Sequence, residues 1–165
     1  MRNLIPDKHV KDIHSIDLDE LWDQGFRGLL LDLDNTFVPY GKYNPVPDES
    51  YHWLNSVIEK GFKVAIYSNA TKWKVDVVTE NTGLFGVHKA MKPFTFKLGT
   101  CLKNLELEKE KVVIIGDQLF TDILGGNIAG VYTILVEPLD EKEFWGTKVL
   151  RFMEWAAGRK PLIEK

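Results

Sequence analysis

A single cysteine, Cys101, occurs in the chain. No disulfide can form within it, which fits a reducing compartment. Cys101 lies in a stretch with helical spacing and reads as a packing residue rather than a nucleophile. Long basic runs are also missing. With 21 Lys and Arg against 24 Asp and Glu the formal net charge is -3, which argues against the electrostatic footprint of a nucleic-acid binder. No apolar run approaches the ~20 residues that a membrane span needs. The opening, MRNLIPDKHV, turns polar too soon for a signal peptide, so the expectation is a cytoplasmic protein. Internal repeats, low-complexity segments and Pro/Gly/Ser-rich linkers are absent as well. A chain of 165 residues, 44% of them hydrophobic, is then expected to form one domain over 1–165, burying roughly 70% of its unfolded surface.

What is present is a series of short apolar runs: 28–34 (GLLLDLD), 62–67 (FKVAIY), 111–115 (KVVII) and 131–136 (VYTILV), with a weaker one at 86–90. Continuous apolar runs of this length, without alternation, suit strands covered on both faces. Helical spacing lies between them. Tyr51, Leu54, Val57 and Ile58 precede Gly61; Val75, Val78 and Thr79 precede Gly83; Phe94, Leu98, Cys101, Leu102 and Leu105 follow Pro93. Strands alternating with helices predict an α/β protein with a doubly wound, mainly parallel sheet and helices on both faces. Ligands of such sheets bind beyond the carboxyl ends of the strands.

The unusual polar residues fall at those ends. Asp32 and Asp34 are two apart, so an extended backbone sends both carboxylates to one side. That is costly without a cation; the plainer reading is a turn completed by Asn35. At the second end, Ser68, Asn69, Ala70 and Thr71 precede a helix, where a hydroxyl and free N–H groups suit a phosphate or simply cap the helix. Lys92 precedes Pro93, which favours the first helical position and holds its predecessor extended; this aims a cation at the crevice, although most lysines are merely solvated. The last run ends in Gly116-Asp117, followed by Thr121 and Asp122, which could equally begin a helix. The joint occurrence decides for function. Four acids, a hydroxyl and a lysine at strand ends make a hard, oxygen-lined Mg2+ site beside donors for a phosphate.

These segments resemble the four motifs, in order, of the haloacid dehalogenase (HAD) superfamily of phosphatases: Asp32-Leu33-Asp34-Asn35-Thr36, Ser68-Asn69, Lys92-Pro93, and Gly116-Asp117 with Thr121-Asp122. DLDNT followed by GDQLFTDILGGNIAGVYTILV is similar to the YqeG family of subfamily IIIA, and Pro6, Val10, Ile16, Leu21, Gly25 and Gly28 fit as well. The resemblance implies a Rossmann-like core and a Mg2+-dependent phosphomonoester hydrolase working through an aspartyl phosphate. Asp32 would be the nucleophile and Asp34 the general acid and base. Mg2+ would sit on Asp32, the backbone carbonyl of Asp34, and Asp117. Ser68, Asn69 and Lys92 would hold the phosphoryl group; Asp122 would orient Lys92 or a metal-bound water, and Thr36 would fix the turn.

The spacing leaves no room for a separate cap domain, since only 37–47 separates Thr36 from the next helix. An open mouth suits a large substrate or a covering subunit in an oligomer, with Phe37, Tyr40, Lys42 and Tyr43 as candidate substrate contacts. Related enzymes of the subfamily act on phosphatidylglycerophosphate, so the expected substrate is a phosphate ester, with a phospholipid head group as one reading and a soluble sugar or nucleotide phosphate as the other. The C-terminal stretch 140–165, with Phe144, Trp145, Val149, Phe152 and Trp155 among Lys148, Arg151, Arg159 and Lys160, reads as a helical extension. It would either dock on the core or lie at a membrane as a peripheral contact. A response-regulator-like signalling module would need its phosphorylated aspartate after the third strand and its lysine after the last, and a silent phosphate-binding domain would be expected to lack one of the motif residues. The sequence has neither property.

Overall fold

The computed structural model describes residues 2–139. Their core is a six-stranded sheet: β1 (Lys8–Val10), β2 (Gly28–Leu31), β3 (Lys63–Tyr67), β4 (Phe85–Val87), β5 (Val112–Gly116) and β6 (Tyr132–Val136), in the order β1-β6-β5-β2-β3-β4. All five pairings are parallel. The helices are α1 (Leu18–Asp23), α2 (Asp48–Glu59), α3 (Lys72–Thr82), α4 (Leu98–Leu105) and α5 (Leu124–Ala129), with a π turn at Leu119–Ile123.

The unbroken apolar runs follow from the pleat. Leu29, Leu31, Ile66, Val113 and Ile115 point to one face, where they meet Trp53, Leu54 and Val57 of α2 and Val75 and Val78 of α3. Their neighbours Leu30, Ala65, Tyr67, Val112 and Ile114 point to the other, against Leu98, Cys101 and Leu105 of α4. Both faces are therefore dry, and no position in the central strands needs a polar residue. Cys101 is fully buried, and burial pushes its thiol up to about 12; it packs.

Strand order reverses at β2. The chain runs β2-β3-β4 to one side, then returns with β5 and β6 on the other. The crevice at such a reversal, beyond the carboxyl ends, is where this class of sheet leaves space for a ligand.

Several local expectations change. The first run leaves the sheet at Leu31 rather than continuing to Asp34, because the chain turns: the N–H groups of Phe37 and Val38 donate to the Leu33 carbonyl and that of Asn35 to the Val38 carbonyl. Pro93 does not open α4, which starts at Leu98. The Asn69 side chain grips the Lys92 backbone at both its N–H and its carbonyl, 2.8 and 3.0 Å, and so keeps 92 and 93 on the crevice wall. Thr121 and Asp122 lie inside the π turn, whose N-cap is Gln118. Sequence reasoning passed over β1 and α1. β1 is a three-residue edge strand, too short for a periodic signal; α1 carries a legible one, Asp17 accepting from the Glu20 N–H at 2.9 Å. The predicted C-terminal extension lies outside the described residues.

Candidate active site

The β2, β3 and β5 ends and the 92 loop converge on one cluster of charge. The β2/β5 register continues one step past Leu31 through the Asp32 N–H, which donates to Ile115 at 2.9 Å; this sets Asp32 level with the Gly116-Asp117 turn. Lys92 reaches in from the wall. Its ammonium donates to Asp32 Oδ1 at 2.7 Å, Asp122 Oδ1 at 2.5 Å and the Tyr67 carbonyl at 2.8 Å, so all three of its N–H bonds are used. Lys92, Asp32, Asp117 and Asp122 are all buried, with exposures of 6, 7, 0 and 1%.

Burying a lysine acts to lower its pKa, but the charges of Asp122 and Asp32 outweigh that and raise it above the ordinary value, so Lys92 stays an ammonium. Burial pushes the Asp122 carboxyl up, with Lys92 opposing. Asp32, Asp117 and Asp122 each bring one oxygen within 4.8 Å of the others. Three buried carboxylates beside one ammonium bring hard oxygens close together, which suits a small divalent cation.

Asp122 owes its place to the π turn, where its Oδ2 also accepts the Gln118 N–H at 3.1 Å. It therefore does cap the element, but from within. Gly116 is obligatory here: a Cβ on it would lie 2.1 Å from Asp122 Cγ.

Asp34 stands apart from the acid cluster. Its carboxylate accepts from the Tyr43 hydroxyl at 2.5 Å and from Lys74 Nζ at 3.1 Å, and Lys74 sits 4.3 Å from the centre of the Tyr40 ring. Burial acts to lower the Lys74 pKa; the Tyr43 hydrogen bond and the Asp34 charge outweigh it and raise the value. A cavity of about 420 Å3 joins the two groups, lined among others by Asp32, Asp34, Ser68, Asn69, Lys74 and Lys92. Ser68 is buried, its Oγ accepting from the Ala70 N–H at 3.2 Å. Thr71, at the N-cap of α3, makes no side-chain capping bond and lines the cavity instead.

The turn after Asp34 belongs to Asn35, not Thr36. Asn35 adopts a left-handed φ of 60° and its Oδ1 accepts the Tyr40 N–H at 3.3 Å. Thr36 is fully buried and its hydroxyl has no hydrogen-bond partner. Of the flap residues, Tyr40 lines the cavity and Tyr43 holds Asp34, while Phe37 is buried in the core and Lys42 points to solvent. Sequence reasoning missed Lys74. The one available signal was its place in the first turn of the helix that follows Ser68 and Asn69.

A family model described as mitochondrial PGP phosphatase matches residues 1–139. The chain is 38% identical over 150 residues to the probable phosphatase YqeG of Bacillus subtilis, covering 91% of this chain and 87% of that one. It is 30% identical to phosphatidylglycerophosphate phosphatase 1, chloroplastic/mitochondrial, of Arabidopsis thaliana, over 85% of this chain and 42% of the longer relative. Among solved structures, an uncharacterized protein from Listeria monocytogenes superposes with a TM-score of 0.56 at 24% identity, over 72% of this chain and 85% of the other.

Proposed function

The chain belongs to the PGP phosphatase family, within the HAD superfamily, and from that membership we propose that it is a Mg2+-dependent phosphomonoester hydrolase acting through Asp32 on phosphatidylglycerophosphate. One observation carries the chemistry: the buried Lys92 ammonium holds Asp32 and Asp122 together beside Asp117 where the strand order reverses.

Asp32 keeps one oxygen on Lys92 and has the other to attack phosphorus. The new bond joins that oxygen to phosphorus as the ester P–O bond breaks, and the leaving alkoxide takes a proton that Asp34 has drawn from solvent beforehand. Water then attacks the phosphorus of the aspartyl phosphate, gives its proton to Asp34, and releases inorganic phosphate with Asp32 restored. Tyr43 and Lys74 hold Asp34 at the cavity wall for both transfers. Ser68 and the Asn69 N–H receive phosphoryl oxygens, and Lys92 shares itself with them by exchanging one of its three acceptors. Asp122 keeps Lys92 in place. Asp32, the Asp34 backbone carbonyl and Asp117 would hold Mg2+, which when bound offsets the repulsion between carboxylate and phosphate.

The lipid substrate rests on the family and on the short connection between Val38 and α2. The chain there has only the flap 39–47, too short for a cap domain that would exclude a bulky ester.

Steady-state hydrolysis of p-nitrophenyl phosphate tests the chemistry. Turnover should require Mg2+ and vanish with EDTA or in Asp32→Asn; turnover that survives either removes the mechanism. For the substrate, phosphatidylglycerophosphate in vesicles should be turned over in preference to soluble sugar and nucleotide phosphates. A preference for a soluble ester of about 100-fold, ~2.7 kcal/mol in transition-state binding, would defeat the lipid reading.

A further inference from the structure

Next to residues that line the cavity, the surface is apolar where surfaces are ordinarily polar. Immediately beside Lys92, Met91, Phe94 and Phe96 are 55, 60 and 78% exposed. The two rings stack with centroids 5.8 Å apart and planes within 16°. The turn that presents them is anchored: Asn69 grips Lys92 from both sides, the Phe94 N–H donates to the Met91 carbonyl at 2.9 Å, and Gly125 lets α5 approach Pro93 so closely that a Cβ there would lie 3.1 Å from its carbonyl oxygen. Trp73, 63% exposed, lies between Thr71 and Lys74, which line the same cavity. Large exposed apolar side chains thus neighbour cavity-lining residues on two segments.

Charge sorts with them. From 81 to 105 there is no Asp or Glu, but there are Lys89, Lys92, Lys97 and Lys103, in a chain whose net charge is -3. Lys92 is buried; Lys89 is exposed before the turn, and Lys97 after it is half-buried with its Nζ donating to the His88 carbonyl at 3.1 Å. Exposed rings between lysines match an anionic bilayer, where rings leave water at the headgroup boundary and ammonium groups meet lipid phosphates. Seating this surface on a bilayer brings the carboxylates at the strand ends to the headgroups.

We propose that the turn 91–96, together with Trp73, docks the protein on an anionic phospholipid surface with the cavity facing the headgroups. The inference takes its lipid from the proposed substrate, and its test does not depend on catalysis. Flotation of the full chain with vesicles of phosphatidylcholine, alone or mixed with phosphatidylglycerol, is compared for the wild type and a Phe94→Ser/Phe96→Ser double variant, whose changes lie on the surface. The wild type should bind the mixed vesicles in preference to the neutral ones. The double variant should bind about tenfold more weakly while hydrolysing p-nitrophenyl phosphate at the wild-type rate. Equal binding by both proteins, or none by the wild type, overturns the proposal. A wild-type dimer that the double variant breaks, without vesicle binding, assigns the rings to a second copy and also overturns it. Absence of p-nitrophenyl phosphate turnover in the wild type would count against the phosphatase mechanism and leave the vesicle result standing.

Discussion

Two lysines divide the chemistry of the site between two aspartates. Lys92 is joined to Asp32 and Lys74 to Asp34, so each carboxylate of the DLDNT motif has its own cation, although both line one cavity as their spacing suggests. The roles we assign make this separation useful, because a nucleophile and a proton carrier act on different atoms of the ester. Lys74→Met should therefore leave the fold intact and lower kcat on p-nitrophenyl phosphate by about tenfold, ~1.4 kcal/mol, with a smaller change in KM. An unchanged kcat would mean that Tyr43 alone suffices to place Asp34. Lys92 was legible in the sequence because Lys92-Pro93 falls in its place in the order of the four motifs, although Pro93 opens no helix. Lys74 was not, because the sequence has only one mark, its place in the first turn of α3, to separate a half-buried ion pair from a solvated side chain.

At the scale of elements, the π turn after β5 is the least regular part of the site and the most consequential. Its extra width turns Asp122 back over Gly116, where only a missing Cβ leaves room. Gly116→Ala should cost ~1–3 kcal/mol in urea unfolding and also lower p-nitrophenyl phosphate turnover, since relief of the clash moves Asp122 off Lys92; full activity in the alanine variant would show that Asp122 need not sit there. The strands themselves were read from apolar runs with their edges displaced by a few residues, because two dry faces remove polar residues from the central strands but mark no sharp end. The start of α4 was misplaced for a different reason. Asn69 holds the chain of the 92 loop to the crevice wall, and a hydrogen bond between segments distant in sequence has no local signature. β1 was missed since three residues at a sheet edge have no period, whereas the Asp17–Glu20 cap of α1 was there to be read.

For the whole molecule, one property of the topology organises the rest. A parallel sheet whose order reverses at β2 sets the ends of β2, β3 and β5 side by side, so residues 32, 68 and 117 meet although long stretches of chain separate them. This was legible early, because βα alternation and polar residues at strand ends are both patterns of the sequence. The exposed rings beside the cavity-lining residues were not, since solvent exposure of a phenylalanine is a property of the folded surface. The central claim is that these converging ends make Asp32 a nucleophile toward phosphorus. The most direct test is acid quenching of the full-length protein during turnover of p-nitrophenyl phosphate with Mg2+, followed by mass spectrometry of its peptides. We expect an acid-stable, hydroxylamine-labile phosphoryl group on Asp32 that is absent from Asp32→Asn; an active enzyme with no such adduct, or with one on another residue, would contradict the account.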